Sequence, residues 1–242
     1  MSNQARIMAV LAHPDDETLG FGGLLARYAA EGAAVSLVTA TRGELGWPWE
    51  DEPYPGEQAL GQRREGELRR AAEALTLEEV HFLDYIDGQL DQADPQQAAR
   101  QVAEHIRRWR PQVLLTFDPH GIYGHPDHIA ICQIATAAVM LAAAPDPVSG
   151  DLPHSVSKLY YAAETQEALD RYEGIFGEIR MQIDGQERAP AGWEPWAVTT
   201  RIEAGDYWQY TWRAIECHQS QLPGLRAILE MPDDEKCKLF EF

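Results

Sequence analysis

Between residues 5 and 143 the chain alternates short β-rich runs with longer helical stretches, and this rhythm limits its fold more than any other feature. Ala5 to Ala12, AAVSLVTATRG, EVHFLDY and QVLLTFD read as strands. Thr18 to Glu31 (closed by Gly32), the charged GQRREGELRRAAEALT, Asp94 to Trp109 and Asp127 to Ala143 read as helices. Such alternation calls for right-handed crossovers, which leave a mostly parallel sheet covered on both faces. The expected class is α/β, a three-layer α/β/α Rossmann-like fold.

With 242 residues, 45% of them hydrophobic, the chain suffices for one such domain. The expectation is a single domain over 1–242, with a core at 5–145 and a C-terminal elaboration at 146–242. After Pro145 the pattern weakens. SVSKLYYAAE and WAVTTRIEA look like further strands, and Tyr207 to Gln221 like a last long helix, with Pro223 shortly after it.

In open parallel sheets, ligands bind outside the carboxyl ends of the strands. Polar motifs collect there. The first strand runs into His13-Pro14-Asp15-Asp16-Glu17, and the loop after QVLLTFD carries Tyr123-Gly124-His125-Pro126-Asp127-His128. TRGE at 41–44 and IDG at 86–88 follow the second and third strands. Proline holds the residue before it extended, which aims His13 and His125 out of their strand or loop ends. A catalytic metal takes three His or carboxylate ligands and keeps one position open. His13, Asp15, Asp16, Glu17, His125, Asp127 and His128 are the candidates. Taken singly, Asp15, Asp16 and Asp127 also suit helix N-caps, and His125 or His128 an ordinary loop. Two His-Pro-Asp tripeptides at two strand ends favour a metal-dependent site.

The rest of the composition excludes more than it proposes. Twenty basic against thirty-nine acidic residues leave a formal charge of −19, which repels nucleic acid and anionic membranes. The N-terminus lacks a signal-peptide pattern, and the apolar stretch 129–144 falls short of the ~20 residues that span a bilayer, so the expectation is a cytoplasmic protein. Cys132, Cys217 and Cys237 are odd in number and widely spaced, which argues against disulfides and thiolate zinc sites.

AHPDDE after the first strand, TRGE, R-x-x-E-L, GHPDH and CHQSQ together resemble the PIG-L/LmbE-like family of zinc-dependent N-deacetylases, from Ile7 to Gln221. The resemblance implies His13, Asp16 and His128 as metal ligands and Asp15 as general base. It further implies His125 as the group that stabilises the oxyanion or protonates the leaving amine, with Asp127 orienting it. Zn²⁺ is the implied cofactor, although a His₂Asp site with an open position also accepts Fe²⁺, Mn²⁺ or Co²⁺. The implied reaction is removal of acetyl from an N-acetylglucosaminyl compound, with low-molecular-weight thiol synthesis as one setting.

Around that core, Tyr123 could offer its hydroxyl to the oxyanion or simply pack. Arg64 matches the family's substrate-binding arginine. Arg42, Glu44 and Asp87, at strand ends, could bind sugar hydroxyls or only shape turns. Trp47, Trp49 and Tyr54 could stack on a sugar or pin their loop. The expected partner is a small N-acetylated amino sugar, with no nucleic acid and no membrane; homo-oligomerisation stays open. The alternatives are an amidase of a larger amide or thiol conjugate, and a sugar- or metal-binding module without turnover.

Overall fold

The computed structural model describes residues 4–146, 150–177, 180–183 and 185–239. Its centre is a five-stranded sheet, ordered β3-β2-β1-β4-β5, in which every pairing is parallel. The strands are β1 (Arg6–Leu11), β2 (Ala34–Thr39), β3 (Glu79–Phe82), β4 (Val113–Thr116) and β5 (Lys158–Tyr161). Leu11 and Thr39 close the β1–β2 register, so His13 and Thr41 leave the sheet side by side. β1 and β2 lack polar alternation because helices cover both faces, and Ile7 to Ala12 are all buried.

Helices α1 (Asp16–Leu19), α2 (Gly22–Ala30) and α3 (Glu57–Ala74) follow β1 and β2, with α4 (Pro95–Trp109) after β3. The segment α5 (Gly121–Gly124) and helix α6 (Pro126–Ala143) lie between β4 and β5. Helices α4 and α6 pack together against β1 and form one outer layer. Helix α2 and the late helix α8 (Trp208–Cys217) pack together, and α8 also packs on α3. The apolar helix α6 belongs to this core: Ile131, Ile134, Ala135, Ala138 and Ala142 are buried. The strand order reverses direction between β1 and β4, which creates the crevice at which such sheets bind ligands. Both His-Pro-Asp segments open into it.

Three expectations are corrected. The helix expected over Thr18 to Glu31 is two helices, α1 and α2, broken at Gly20 and Phe21. The break turns Phe21 inward, 6.1 Å from the Phe117 ring. WAVTTRIEA forms no strand: it opens with a 3₁₀ turn at Pro195–Ala197 and continues irregularly, because β propensity forms a strand only where a sheet neighbour accepts it. The stretch after β5 instead holds helix α7 (Gln166–Phe176) and the two-stranded pair β6 (Met181–Ile183) and β7 (Gln186–Arg188). Beyond α8 come the short helices α9 (Arg226–Leu229) and α10 (Asp233–Leu239).

Helix α8 also ends earlier than the pattern suggests, because its next residues turn back to the site. His218 Nε2 lies 2.8 Å from Glu17 Oε1, and both side chains are buried, at 1% and 0% exposure. The Ser220 N–H and hydroxyl both donate to the Glu67 carboxylate on α3. Burial opposes charge on His218, but the charge of Glu17 and its hydrogen bond win, and the histidine's pKa is raised. That stabilisation is fully present below the ordinary histidine pKa of ~6.5 and is lost as pH rises through the raised value. Replacing His218 by leucine leaves the Glu17 carboxylate buried without its counter-ion. We expect His218→Leu to cost about 3–5 kcal/mol in urea denaturation at pH 6, and an unchanged midpoint would show that the pair contributes nothing.

Candidate metal centre

The site is built where β1 and β4 end. His13 is held at both ring nitrogens. Its Nε2 lies 3.2 Å from Asp87 Oδ1 and 3.2 Å from Asp127 Oδ2, so that nitrogen carries the proton. Burial opposes charge on His13, but its hydrogen bonds to Asp127 and Asp87 and the charge of Asp16 raise its pKa, and Nδ1, on the opposite side, is the nitrogen a cation would claim by displacing a proton. Nδ1 faces His128 Nε2 at 3.2 Å and Asp16 Oδ2 at 3.7 Å, while Asp16 Oδ1 lies 3.4 Å from His128 Nε2. Tetrahedral zinc bonds of 2.0–2.2 Å place neighbouring ligand atoms about 3.3 Å apart. Asp16 meets the two histidines with different oxygens, and the three side chains gather around one point.

The charges agree. Asp16, Asp87 and Asp127 are buried around His13 and His128, and a crowd of buried carboxylates is stable only with positive charge among them. Burial works against ionising Asp16, yet the charge and hydrogen bond of His128, and then His13, hold its carboxyl well below the usual range. Asp87 is held at about 2 because its hydrogen bond to His13 and the charge of His13 overcome burial. Among the described residues, two sets of three donors have their ligating atoms mutually within 4.8 Å: His13, His125 and His128, and His13, Asp87 and Asp127. His13 is common to both.

The N-cap alternative fails for all three aspartates. Asp16 Oδ2 accepts the Ala12 and His13 N–H groups, behind the helix it starts. Asp127 accepts from His13, from the Gly88 N–H at 2.8 Å and from the Leu90 N–H at 3.0 Å. The cap of α6 is His125, whose Nδ1 accepts the Asp127 N–H at 3.1 Å with the residue extended, as the proline requires. The expectation that the Asp127 carboxylate orients His125 is therefore corrected. Helix geometry points that carboxylate at His13, and Asp127 orients His125 only through its backbone N–H. The same bond leaves the proton of neutral His125 on Nε2, and burial, with the nearby charges of His13 and His128, lowers its pKa to about 4.

Asp15 stands apart from this cluster. Its backbone has φ 109°, one of five non-glycine residues with positive φ among the described residues, and its side chain caps nothing. Such strain persists only where neighbours impose it. Here Glu17 accepts the Asp15 N–H at 3.0 Å, and Arg64 donates to Asp15 Oδ2 at 2.9 Å as well as to the Pro14 and Gly43 carbonyls. Burial raises the Asp15 carboxyl to about 6 against the pull of Arg64, with the Asp16 charge adding to the rise. Tyr123 sits edge-on to His125 and His128, at ring separations of 5.9 and 5.3 Å. Burial, and the charges of Asp16 and Asp15, raise its hydroxyl pKa, so it remains a donor.

The four residues expected to bind substrate have other duties. Arg64 is buried and holds Asp15. Arg42 is paired with Glu65 and Asp84. Glu44 accepts the Arg42 and Asp87 N–H groups, and Asp87 accepts from His13 and the Leu45 N–H. Strand-end loops had to satisfy their own backbone first. Trp49 donates to the Ser220 carbonyl and Trp47 to the Glu52 carbonyl, which pins the aromatic loop to the body. A cavity of about 910 Å³ lies between the sheet and α7, and none of the seven motif candidates lines it.

With this geometry in hand, relatives can be placed. The family model described as PIG-L, GlcNAc-PI de-N-acetylase, matches residues 8–139. The chain is 38% identical over 253 residues to a Thermobifida fusca protein named 1D-myo-inositol 2-acetamido-2-deoxy-alpha-D-glucopyranoside deacetylase, with 91% of this chain and 84% of that one covered. The chain belongs to the PIG-L family. The fold is similar, at a TM-score of 0.66, to N,N'-diacetylchitobiose deacetylase from Pyrococcus horikoshii, at 21% identity over 96% of this chain and 73% of that one. It is equally similar, at a TM-score of 0.66, to a 4-carboxy-2-hydroxymuconate hydratase from Pseudomonas putida KT2440, at 20% identity over 98% and 83%. One fold thus hosts two reactions, and within this PIG-L member the site must decide between them.

The buried carboxylate behind His13 has a measurable consequence. Asp127→Asn retains one acceptor for the loop N–H groups but loses the charge on His13 Nε2. A chelator-competition titration should show divalent-metal affinity falling about 10–100-fold; unchanged affinity would remove Asp127 from the metal centre.

Proposed function

We propose that this PIG-L family chain is a zinc-dependent hydrolase that removes the acetyl group from an N-acetylglucosaminyl unit linked to inositol, releasing acetate and a free amine. His13, Asp16 and His128 would hold the ion. The reading rests above all on how closely these groups gather, with His13 Nδ1 3.2 Å from His128 Nε2 and one Asp16 oxygen near each histidine, at 3.7 and 3.4 Å, beside a strained Asp15 that is not one of them. The inositol-linked substrate is the one in the name of the Thermobifida fusca relative. Cytosolic availability among Zn²⁺, Fe²⁺, Mn²⁺ and Co²⁺ then sets the occupant, and a cytoplasmic setting fits a small polar substrate.

A bound divalent ion polarises the acetamide carbonyl and acidifies a water towards pKa ~7. The chain's own groups do the rest. Asp15, raised to about 6, is a carboxylate at neutral pH and basic enough to take the proton of the attacking water. Arg64 keeps that carboxylate aimed, which makes it a positioning residue. His125 is neutral with its proton on Nε2, so it donates a hydrogen bond to the developing oxyanion, while the proton that Asp15 takes from the water is the one returned to the departing nitrogen. The Tyr123 hydroxyl, held protonated, supplies a second donor. Leu45 and Ile86, both about half exposed on the loops that carry Glu44 and Asp87, offer an apolar rim to the sugar ring.

Acetate release by zinc-loaded protein, compared across the N-acetyl forms of glucosaminyl-inositol, glucosaminyl-malate and chitooligosaccharides, tests the proposal. The inositol compound should be the best substrate. Asp15→Ala should lower kcat by about 10²–10⁴-fold while one zinc per chain stays bound. A wild-type chain that binds zinc and releases acetate from none of the three would favour a binding module. The pH profile adds a sign. Asp15 acts as a base only when deprotonated, so kcat/KM should fall as pH drops through about 6, or lower once a cation draws the carboxyl down. An acid limb that survives in Asp15→Glu at an altered pH supports the assignment, and a limb unmoved by that change would assign it to another group.

A further inference from the structure

We infer that Arg188, at the end of β7, and Trp193, in the segment that follows, are positioning residues that hold the turn carrying Tyr123 and His125. The inference rests on the roles proposed above for those two residues. The turn between β4 and α6 is costly to form. Gly121, Ile122 and Gly124 all have positive φ, at 70°, 65° and 78°, and Ile122 is β-branched. A β-branched residue is a rare occupant of that region. Gly121 is tight as well: a Cβ there would meet Ile129 Cγ1 at 2.9 Å and His128 Cβ at 3.0 Å. Something outside the turn must keep it in this shape.

The restraint runs through Asp118, which is buried at 2% exposure. Its carbonyl accepts the Gly121 N–H at 3.0 Å, and its Oδ1 accepts the Ile122 N–H at 2.9 Å. The other oxygen, Oδ2, accepts the Trp193 indole N–H at 2.6 Å, across 75 positions of sequence. Trp193 is itself anchored, because its backbone N–H donates to the Glu164 carbonyl at 2.8 Å and it bridges to Thr165 at the start of α7. Gly192 beside it lies against the Gln166 backbone, where a Cβ would come within 2.6 Å. A second tie meets the far end of the turn, where Arg188 donates to the Gly124 carbonyl at 2.7 Å. Of the residues proposed to donate to the oxyanion, Tyr123 thus lies between two attachments to one late segment and His125 directly after the second. Trp193 touches neither metal ligand nor reacting atoms; its effect passes through the Asp118 carboxylate.

Trp193→Phe keeps an aromatic side chain, though a smaller one, and removes the donor. In the zinc-loaded chain kcat should fall about tenfold with KM within about twofold, since displacing an oriented group costs rate more than ground-state binding. Zinc per chain and the thermal midpoint should be unchanged, and amide hydrogen exchange should accelerate at 119–125 while the sheet keeps its protection. Arg188→Met, at the other attachment, should give the same local acceleration and serves if the tryptophan variant folds poorly. Unchanged exchange at 119–125 in both variants overturns the inference, as does faster exchange spread evenly with a lowered midpoint, which would make Trp193 a packing residue. The exchange measurement needs no turnover, so a failure of the deacetylase reading would appear in the wild-type acetate assay and leave this test intact.

Discussion

The His13 imidazole is the joint on which the site turns. A ring whose Nε2 is held between two buried carboxylates is fixed in orientation, and its other nitrogen faces His128 and Asp16. Those carboxylates come from Asp87 after β3 and Asp127 at the start of α6, so three separate chain segments are committed by one side chain. Asp127 extends the commitment by ordering the loop at Gly88 and Leu90. The parallel sheet supplies the platform, and its change of direction between β1 and β4 supplies the opening.

Asp15 shows the opposite economy. Where Asp16 is drawn deep among histidines, its neighbour is twisted out of the common backbone regions, and Arg64 and Glu17 hold it from two sides. Adjacent carboxylates thus reach opposite protonation tendencies, one far below the usual range and one near 6. The difference lies in their partners, since both are buried: Asp16 meets two imidazoles, and Asp15 has one guanidinium and a repelling neighbour.

Much of this was legible in the sequence because it was local. Apolar runs ending in polar motifs placed the strands, and the two His-Pro-Asp tripeptides marked the strand ends that converge. The proline also set His125 extended, as the structure has it. What could not be read was direction. Nothing in HPDH says that Asp127 faces His13 instead of His125, because that depends on how α6 docks against a loop after β3. Arg64, Arg42, Glu44 and Asp87 were recognisable as residues near the crevice, but their partners lie 42 to 49 positions away in several cases. Beyond Pro145 the elements are short and weakly periodic, so α7 and the β6–β7 pair left no pattern, and Trp193 and Arg188 carried no motif. WAVTTRIEA misled because its β-branched content described a strand that the sheet had no neighbour for.

The pairing of Glu17 with His218 also orders events in time. Glu17 leaves a ribosome 201 positions ahead of His218, so the acid that braces Asp15 lacks this counter-ion while the intervening chain is being made. The sheet from β1 to β5 can form early from neighbouring segments, yet the backbone at Asp15 gains its full restraint only when α8 has emerged and docked. Of the restraints around Asp15, the Glu17–His218 contact closes the longest loop, since it spans 201 positions.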